Sequence, residues 1–316
     1  MHRMRSFEKL NYSLRPAKQV ERKLLVETLH LLGTAGYPIR DYTYIGFSSV
    51  YFVDCLLFHK YLYIDRMISI EREDIPRRMR FNRPYEFIRV RMQPAIELVS
   101  TLSRKRPYFV WLDYDRALDL EILDEVEAFS QRLASGSILV VSLDARPASP
   151  ESEDSLIHTE ADRKGQTLRY YQQQFQRYNG GQIEARDLDS RAPRTLARIL
   201  RGKIQETLLG RPDLEFVQIF NLSYADNAPM LTVGGLFGVT GTERRVRKLL
   251  RKLEYVTSGE VPIEIKVPPL TSRERQWLDS NTSKRGKKAP FEMDAKTIRL
   301  YRSYSRHYPN YYEAVI

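Results

Sequence analysis

The stretch YIGFSSVYFVD, residues 44–54, decides the fold of this chain. Residues 41–45 favour a β-strand, Gly46–Ser49 predict a turn, and VYFVDCLLFHKYL, residues 50–62, has a helical pattern. The turn joins one glycine to two small hydroxyl residues, so the backbone can approach a ligand closely. The helix that follows offers backbone N–H groups with no partner inside the helix. This strand–turn–helix unit therefore predicts a ligand-binding loop.

Polar residues end the strands predicted after this loop. MISIE, residues 67–71, ends on Glu71, whose carboxylate would accept hydrogen bonds from the ribose hydroxyls of an adenosine cofactor. The third strand, within residues 84–92, brings Met92 and Gln93 to a place where adenine could lie. The apolar run PYFVWLDYD, residues 107–115, ends on Asp113 and Asp115. All of these residues are expected at the carboxyl edge of one parallel sheet.

The order of predicted elements indicates a doubly wound α/β sheet. A helix over residues 16–32 comes first, and strands then alternate with helices up to a buried strand at 137–144. Residues 145–213 hold only helical patterns, which we interpret as an insertion near the carboxyl edge. Residues 215–226 and 229–239 predict two long strands joined by a short turn, hence an antiparallel hairpin. A basic helix, a Pro-rich stretch and a Tyr/Arg-rich tail follow.

This arrangement resembles the class I (Rossmann-like) S-adenosylmethionine-dependent methyltransferases, in an uncharacterised bacterial branch. The resemblance covers about residues 16–144 and 214–240. It implies a seven-stranded, mostly parallel sheet whose seventh strand lies beside the fifth. The opening RPAKQVERK and the hairpin YADNAPMLTVGG carry the same general likeness. The chain departs from the family in having one glycine in the first loop, and LDYD differs from the Asn/Asp-Pro-Pro-Tyr motif of amino-methylating enzymes.

The resemblance assigns roles to particular residues. Gly46, Ser48 and Ser49 match the cofactor loop, Glu71 the ribose acid, and Asp113 the residue near the methyl donor. We expect only one of Asp113 and Asp115 to face the pocket, and we favour Asp113, with Asp115 as the alternative. The complete predicted cofactor-binding set is Gly46, Phe47, Ser48, Ser49, Glu71, Arg72, Met92, Gln93 and Asp113. The catalytic candidates are Asp113 and Asp115, and no metal is predicted.

Composition limits the class of protein. The chain has 316 residues, of which 42% are hydrophobic and 29% charged, as in an ordinary globular protein. No run reaches the roughly 20 apolar residues that span a bilayer, so no membrane association is predicted. Cys55 is the single cysteine, so no internal disulfide forms, and a cytoplasmic location is expected. The five histidines have no metal-ligand spacing.

Charge points to an anionic partner. Lys and Arg number 51 against 40 Asp and Glu, a net charge of +11. Ten basic and four acidic residues lie within 72–106, and seventeen basic and nine acidic residues within 241–316. A nucleic acid or nucleotide-like acceptor is therefore slightly favoured. The tail tyrosines either stack on single-stranded nucleic acid or dock onto the domain or a second subunit, and docking is the favoured reading.

Our expectation is a methyltransferase-like domain over residues 1–240 and a basic extension over 241–316. The enzyme would use S-adenosylmethionine to methylate an oxygen or nitrogen. Two alternatives stay open. One is a methyltransferase fold that has lost turnover and binds nucleic acid or a protein partner. The other is a methyltransferase acting on small molecules or proteins. A homo-oligomer is compatible with either alternative.

Overall fold

A computed structural model describes residues 15–72, 75–148, 159–281 and 289–309. One eight-stranded sheet runs through it in the order β3-β2-β1-β4-β5-β7-β6-β8. The strands are β1 (Thr43–Phe47), β2 (Arg66–Glu71), β3 (Ile88–Met92), β4 (Tyr108–Ala117), β5 (Ile138–Asp144), β6 (Leu214–Ala225), β7 (Pro229–Val239) and β8 (Ile263–Ile265). The predicted doubly wound α/β architecture is confirmed.

Strands β1 to β5 are parallel, and their order reverses between β1 and β4. Every residue of β5 is buried, which explains why its sequence, ILVVSLD, is mostly apolar. Because parallel strands run in the same direction, the carboxyl ends of β1 to β4 lie at one edge of the sheet. That edge is the place where the sequence predicted a site.

The end of the sheet that holds the hairpin is antiparallel. β7 pairs with β5 on one side and with β6 on the other, as the resemblance implied. The prediction of seven strands was wrong, because β8 adds an eighth that is parallel to β6. β8 has only three residues and lies inside the Pro-rich stretch, so periodicity gave no sign of it. It comes from the segment beyond residue 240.

Helices cover both faces of the sheet. One face carries α1 (Pro16–Thr34), α2 (Val53–Leu62), α3 (Pro76–Asn82), α9 (Glu243–Leu250) and α11 (Ala295–Tyr304). The other carries α4 (Ala95–Val99), α5 (Leu120–Arg132), α6 (Glu160–Gln174), α7 (Gln176–Asn179) and α8 (Ala192–Leu208). A further helix, α10 (Ser272–Ser280), precedes α11, and two 3₁₀ turns lie at Ile39–Asp41 and Ala185–Leu188. No helix in these described segments is long and apolar enough to cross a membrane.

The interpretation of residues 145–213 as an insertion at the carboxyl edge was incomplete. Helix α8 buries Leu196, Ile199 and Leu200 in the core shared with α5, so it is part of the layer that covers the sheet. Tyr171 and Phe175, at the end of α6, join the same core. The strand predicted from residue 84 also starts later, at Ile88.

Candidate active site

Strand register brings the predicted residues to one edge. Phe47 lies opposite Ile70, and Glu71 lies opposite Met92, so the ends of β1, β2 and β3 are level. Gly46 lies opposite Trp111 in β4, two residues before Asp113. The side chains predicted from four separate stretches therefore converge on the carboxyl edge of β1 to β4.

The loop Ser48–Phe52, which we call the cofactor loop, joins β1 to α2. Ser49 and Phe52 have φ values of 44° and 49°, a left-handed conformation that favours glycine. Serine and phenylalanine thus take a backbone conformation that glycine adopts more readily. The single glycine in the sequence pattern therefore does not signal a missing turn.

Neither of the two serines caps α2, although serine is a frequent N-cap residue. Ser48 is buried, with its Oγ 3.2 Å from Sγ of Cys55, and burial raises the pKa of that thiol to about 12. Oγ of Ser49 accepts a hydrogen bond from the backbone N–H of Tyr51. Phe52 is the N-cap residue, and α2 begins with no side-chain cap.

Gly46 is needed for packing rather than for a positive φ. A Cβ at this position would lie 2.2 Å from Oη of Tyr44, which is buried along β1. Burial raises the pKa of Tyr44 well above its usual value, and the nearby Asp54 carboxylate raises it further. The glycine therefore makes room for a tyrosine that stays protonated under the cofactor loop.

Glu71 and Arg72 have different environments at the end of β2. Glu71 is half-buried, and its Oε1 accepts a hydrogen bond from the backbone N–H of Arg72. The Arg72 guanidinium reaches across to α5, where it lies 2.7 Å from Glu121 and also pairs with the buried Glu125. Glu71 is thus held at the strand end, whereas Arg72, predicted as a cofactor contact, joins β2 to α5.

The end of β3 presents an apolar surface. The side chain of Met92 is 38% exposed, and Ile96, in the first turn of α4, is 45% exposed. Gln93 lies between them and is half-buried. Phe47 is half-buried against Tyr114, with ring centroids 5.2 Å apart. The predicted site included Met92 and Gln93 but did not include Ile96. The apolar side chain of Ile96, four residues after Met92, was the signal that could have indicated it.

Asp113 and Asp115 differ in environment. The Asp113 carboxylate is 15% exposed and accepts a 2.7 Å hydrogen bond from Lys18 of α1. Asp115 is exposed and lies where the β4–β5 register shifts. Residues two apart on one regular strand share a face, so the register shift is what separates the two side chains. The N-cap of α5 is Asp119 rather than Asp115.

Lys18 is wholly buried. Its Nζ lies 2.7 Å from Asp113, 2.8 Å from Glu21 and 4.3 Å above the Trp111 ring. Tyr224, at the end of β6, is also buried close to this group, and its hydroxyl has no hydrogen-bond partner among the described residues. Burial and the Glu21 and Asp113 carboxylates raise the pKa of Tyr224 well above its usual value.

Two further ion pairs join α1 to this edge. Arg22 lies 2.6 Å from Asp54 of α2, with both side chains buried. Burial alone would lower the pKa of Arg22, but the Asp54, Asp113 and Glu21 carboxylates more than reverse this, so the pKa is raised. Asp226, after β6, pairs with Arg15 and accepts hydrogen bonds from the first N–H groups of α1. The opening RPAKQVERK therefore supplies the charged side chains beneath Asp113.

Comparison with known proteins assigns the chain to a family. Residues 10–316 match the model of the family described as "Putative O-methyltransferase". The chain belongs to this family. Membership confirms the predicted methyltransferase, and S-adenosylmethionine is the methyl donor that this assignment implies. None of the curated proteins compared with the methyltransferase matches it.

Several solved structures resemble the methyltransferase in shape. Trm1 from Pyrococcus horikoshii, in complex with S-adenosyl-L-methionine, has 13% identity and a TM-score of 0.48, covering 96% of this chain and 84% of that one. A probable spermidine synthase from Corynebacterium glutamicum has 13% identity and a TM-score of 0.42, covering 87% and 83%. The N-methyltransferase NodS from Bradyrhizobium japonicum, with S-adenosyl-L-homocysteine, has 11% identity and a TM-score of 0.34, covering 69% and 87%. These similarities assign no substrate to the methyltransferase.

Proposed function

We propose that this chain is an S-adenosylmethionine-dependent O-methyltransferase whose acceptor is a nucleic acid or a nucleotide-like molecule. The observation that carries the proposal is the convergence of the cofactor loop, Glu71, Met92 and Asp113 on one edge of the sheet. Each of these groups has a chemistry that suits one part of the cofactor and its acceptor.

The residues at this edge fit the cofactor. The Glu71 carboxylate suits the two ribose hydroxyls, because a carboxylate accepts hydrogen bonds and donates none. The exposed side chains of Met92 and Ile96 would cover the faces of adenine, with Gln93 beside its polar edge. The uncapped start of α2 suits the carboxylate of the methionine part. Arg72 is excluded from this set because its guanidinium is held by α5.

Asp113 is the candidate base. When bound, the cofactor supplies a methyl group on a sulfonium, which makes that carbon electrophilic. One oxygen of Asp113 is held by Lys18, and the carboxylate is partly open at the sheet edge. The carboxylate would take the proton of an acceptor hydroxyl while the S–CH₃ bond breaks and the O–CH₃ bond forms. Lys18 and the ring of Trp111 hold the carboxylate in position for this step.

Cofactor binding tests the first half of the proposal. Isothermal titration with S-adenosylmethionine and with S-adenosylhomocysteine should give binding heat for both. Glu71→Ala should weaken binding by about 10- to 100-fold, because hydrogen bonds to a charged group contribute about 1.5–3 kcal/mol each. Glu254→Ala, at an exposed glutamate beyond α9, is the matched control and should bind normally.

Folded protein that gives no heat with either compound would overturn the proposed activity. Normal binding by Glu71→Ala would overturn only the ribose assignment.

Transfer of label tests the acceptor. With S-adenosylmethionine labelled in its methyl group, we expect incorporation into the nucleic-acid fraction of a cell extract. Asp113→Asn should lower that incorporation at least about 100-fold, because general base catalysis typically contributes 10²–10⁴-fold. Asp115→Asn is the control, since its carboxylate is exposed beyond the register shift. Label confined to protein or small molecules would exclude the nucleic-acid acceptor and favour the small-molecule or protein alternative.

A further inference from the structure

An aromatic groove lies on the outer side of α2. Its volume is about 650 Å³, and its lining includes Tyr51, Leu56, His59, Lys60, Tyr61 and Tyr85. We call it the α2 groove. The side chains of Tyr51 and Leu56 are each 39% exposed, and that of Tyr61 is 49% exposed. Apolar and aromatic surface gathered in this way typically marks a binding surface.

The rings on one wall of the groove are ordered. Tyr85 stacks on Phe87 at an interplanar angle of 11° and a centroid distance of 5.0 Å, and His59 packs against both rings. On α2, Nζ of Lys60 lies 5.4 Å from the ring centroid of Tyr61. The groove thus has packed aromatic rings on one wall. The Lys60 ammonium group lies beside the exposed ring of Tyr61.

Unpaired positive charge lies close in sequence to this wall. Residues 75–91, which run through α3 and into β3, contain six arginines and a single acidic residue, Glu86. Arg77, Arg80, Arg89 and Arg91 are exposed and make no ion pair within the described part of the chain. Phe81, four residues after Arg77 on α3, is 89% exposed.

The contrast is clear on α8, where Arg194, Arg198 and Arg201 all lie within 3.7 Å of the Glu260 carboxylate. Tyr311 and Tyr312 of the tail lie outside the described residues, whereas Tyr301 and Tyr304 are buried against the domain and are not available for stacking. The docking interpretation of those tyrosines therefore agrees with the structure. Among the described residues, α2 carries the exposed ring of Tyr61, and α3 carries the exposed ring of Phe81 beside Arg77 and Arg80.

We propose that the α2 groove binds single-stranded nucleic acid, with bases stacked on its tyrosines and phosphates bound by Arg77 and Arg80 of α3. Every base has a flat face that stacks on an aromatic ring, and unpaired guanidinium groups complement phosphates. A duplex keeps its bases stacked inside and cannot use the rings. Tyr51 lies both in the groove and in the cofactor loop, so a strand bound there leads toward the proposed active site. The inference rests on the proposed function, since it names the strandedness and path of that acceptor.

Fluorescence anisotropy with labelled oligouridylate, oligothymidylate and a duplex, each of about 20 nucleotides, tests the inference. Both single strands should bind more tightly than the duplex. Tyr61→Ala should weaken single-strand binding by about 5- to 150-fold, the range of about 1–3 kcal/mol for one stacked base. A double Arg77→Gln and Arg80→Gln variant should reduce the slope of log affinity against log salt by about 1.4, because each phosphate contact on a single strand contributes about 0.7.

The matched control is a double Arg244→Gln and Lys248→Gln variant, which removes two exposed charges from α9, away from the groove. Its affinity and salt slope should be close to those of the unmodified protein. Equal losses in both double variants, tighter binding of the duplex, or self-association that Tyr61→Ala abolishes would each overturn the inference.

Cofactor binding separates this inference from the proposed function. Tyr61→Ala should bind S-adenosylhomocysteine normally, because Tyr61 lies near the end of α2, away from the carboxyl edge. Normal cofactor binding without oligonucleotide binding would overturn the groove assignment alone. Loss of cofactor binding by the unmodified protein would overturn the proposed function instead.

Discussion

Ser49 occupies a left-handed backbone position in the cofactor loop, with φ at 44°. This conformation costs a residue with a Cβ roughly 1–2 kcal/mol, whereas glycine adopts it without this cost. Ser49→Gly should therefore raise the free energy of unfolding by about 1 kcal/mol, after the greater flexibility of glycine in the unfolded chain is subtracted. Urea denaturation measures this change. Ser48→Gly is the control and should lower the free energy of unfolding, because Ser48 is buried against Cys55. Equal destabilisation by both changes would contradict the strain argument.

At the scale of elements, helix α1 shows what a single sequence reveals and what it does not. Apolar spacing predicted a helix over residues 16–32, and the structure has Pro16–Thr34. The same pattern gives no sign that Lys18 is buried. A buried charge requires a partner, and besides Glu21 of the same helix Lys18 pairs with Asp113, which is 95 residues away in sequence. Periodicity finds the helix because its cause is local, but it cannot find a pair formed by tertiary packing.

Strand ends were predicted well for the same reason. Glu71, Met92 and Asp113 were identified because residues at or near the carboxyl ends of neighbouring parallel strands lie at one edge. The conformation of the cofactor loop was not predictable, because Ser49 and Phe52 are residues that rarely adopt a positive φ. The buried Tyr224 was missed as well, since it ends a strand of the hairpin that sequence reasoning used only for topology. The sequence therefore predicted which residues share the carboxyl edge, whereas tertiary contacts determine the surroundings of Asp113, the candidate catalytic base.

At the scale of the whole molecule, the end of the described chain packs against its beginning. Nε2 of His307 lies 3.0 Å from Glu27 of α1, and Lys23 of α1 donates to the backbone carbonyl of Tyr308. The hydroxyl of Tyr304 donates to the carbonyl of Glu264 in β8. These contacts join α1, β8 and the tail, so α1 is held between the tail and the charged cluster under Asp113.

The packing of the tail against α1 should depend on pH. Burial lowers the pKa of His307 below its usual 6.5, and Lys23 and Arg306 act in the same direction, although Glu27 opposes them. The docked tail therefore prefers neutral His307, and its stability is present above about pH 6.5 and falls as His307 is protonated below it. Hydrogen exchange of residues 295–309, corrected for intrinsic rates, should show weaker protection at about pH 5.5 than at about pH 7.5. His307→Gln cannot titrate and should remove the difference. Equal protection of the unmodified tail at both pH values would show that His307 does not control docking.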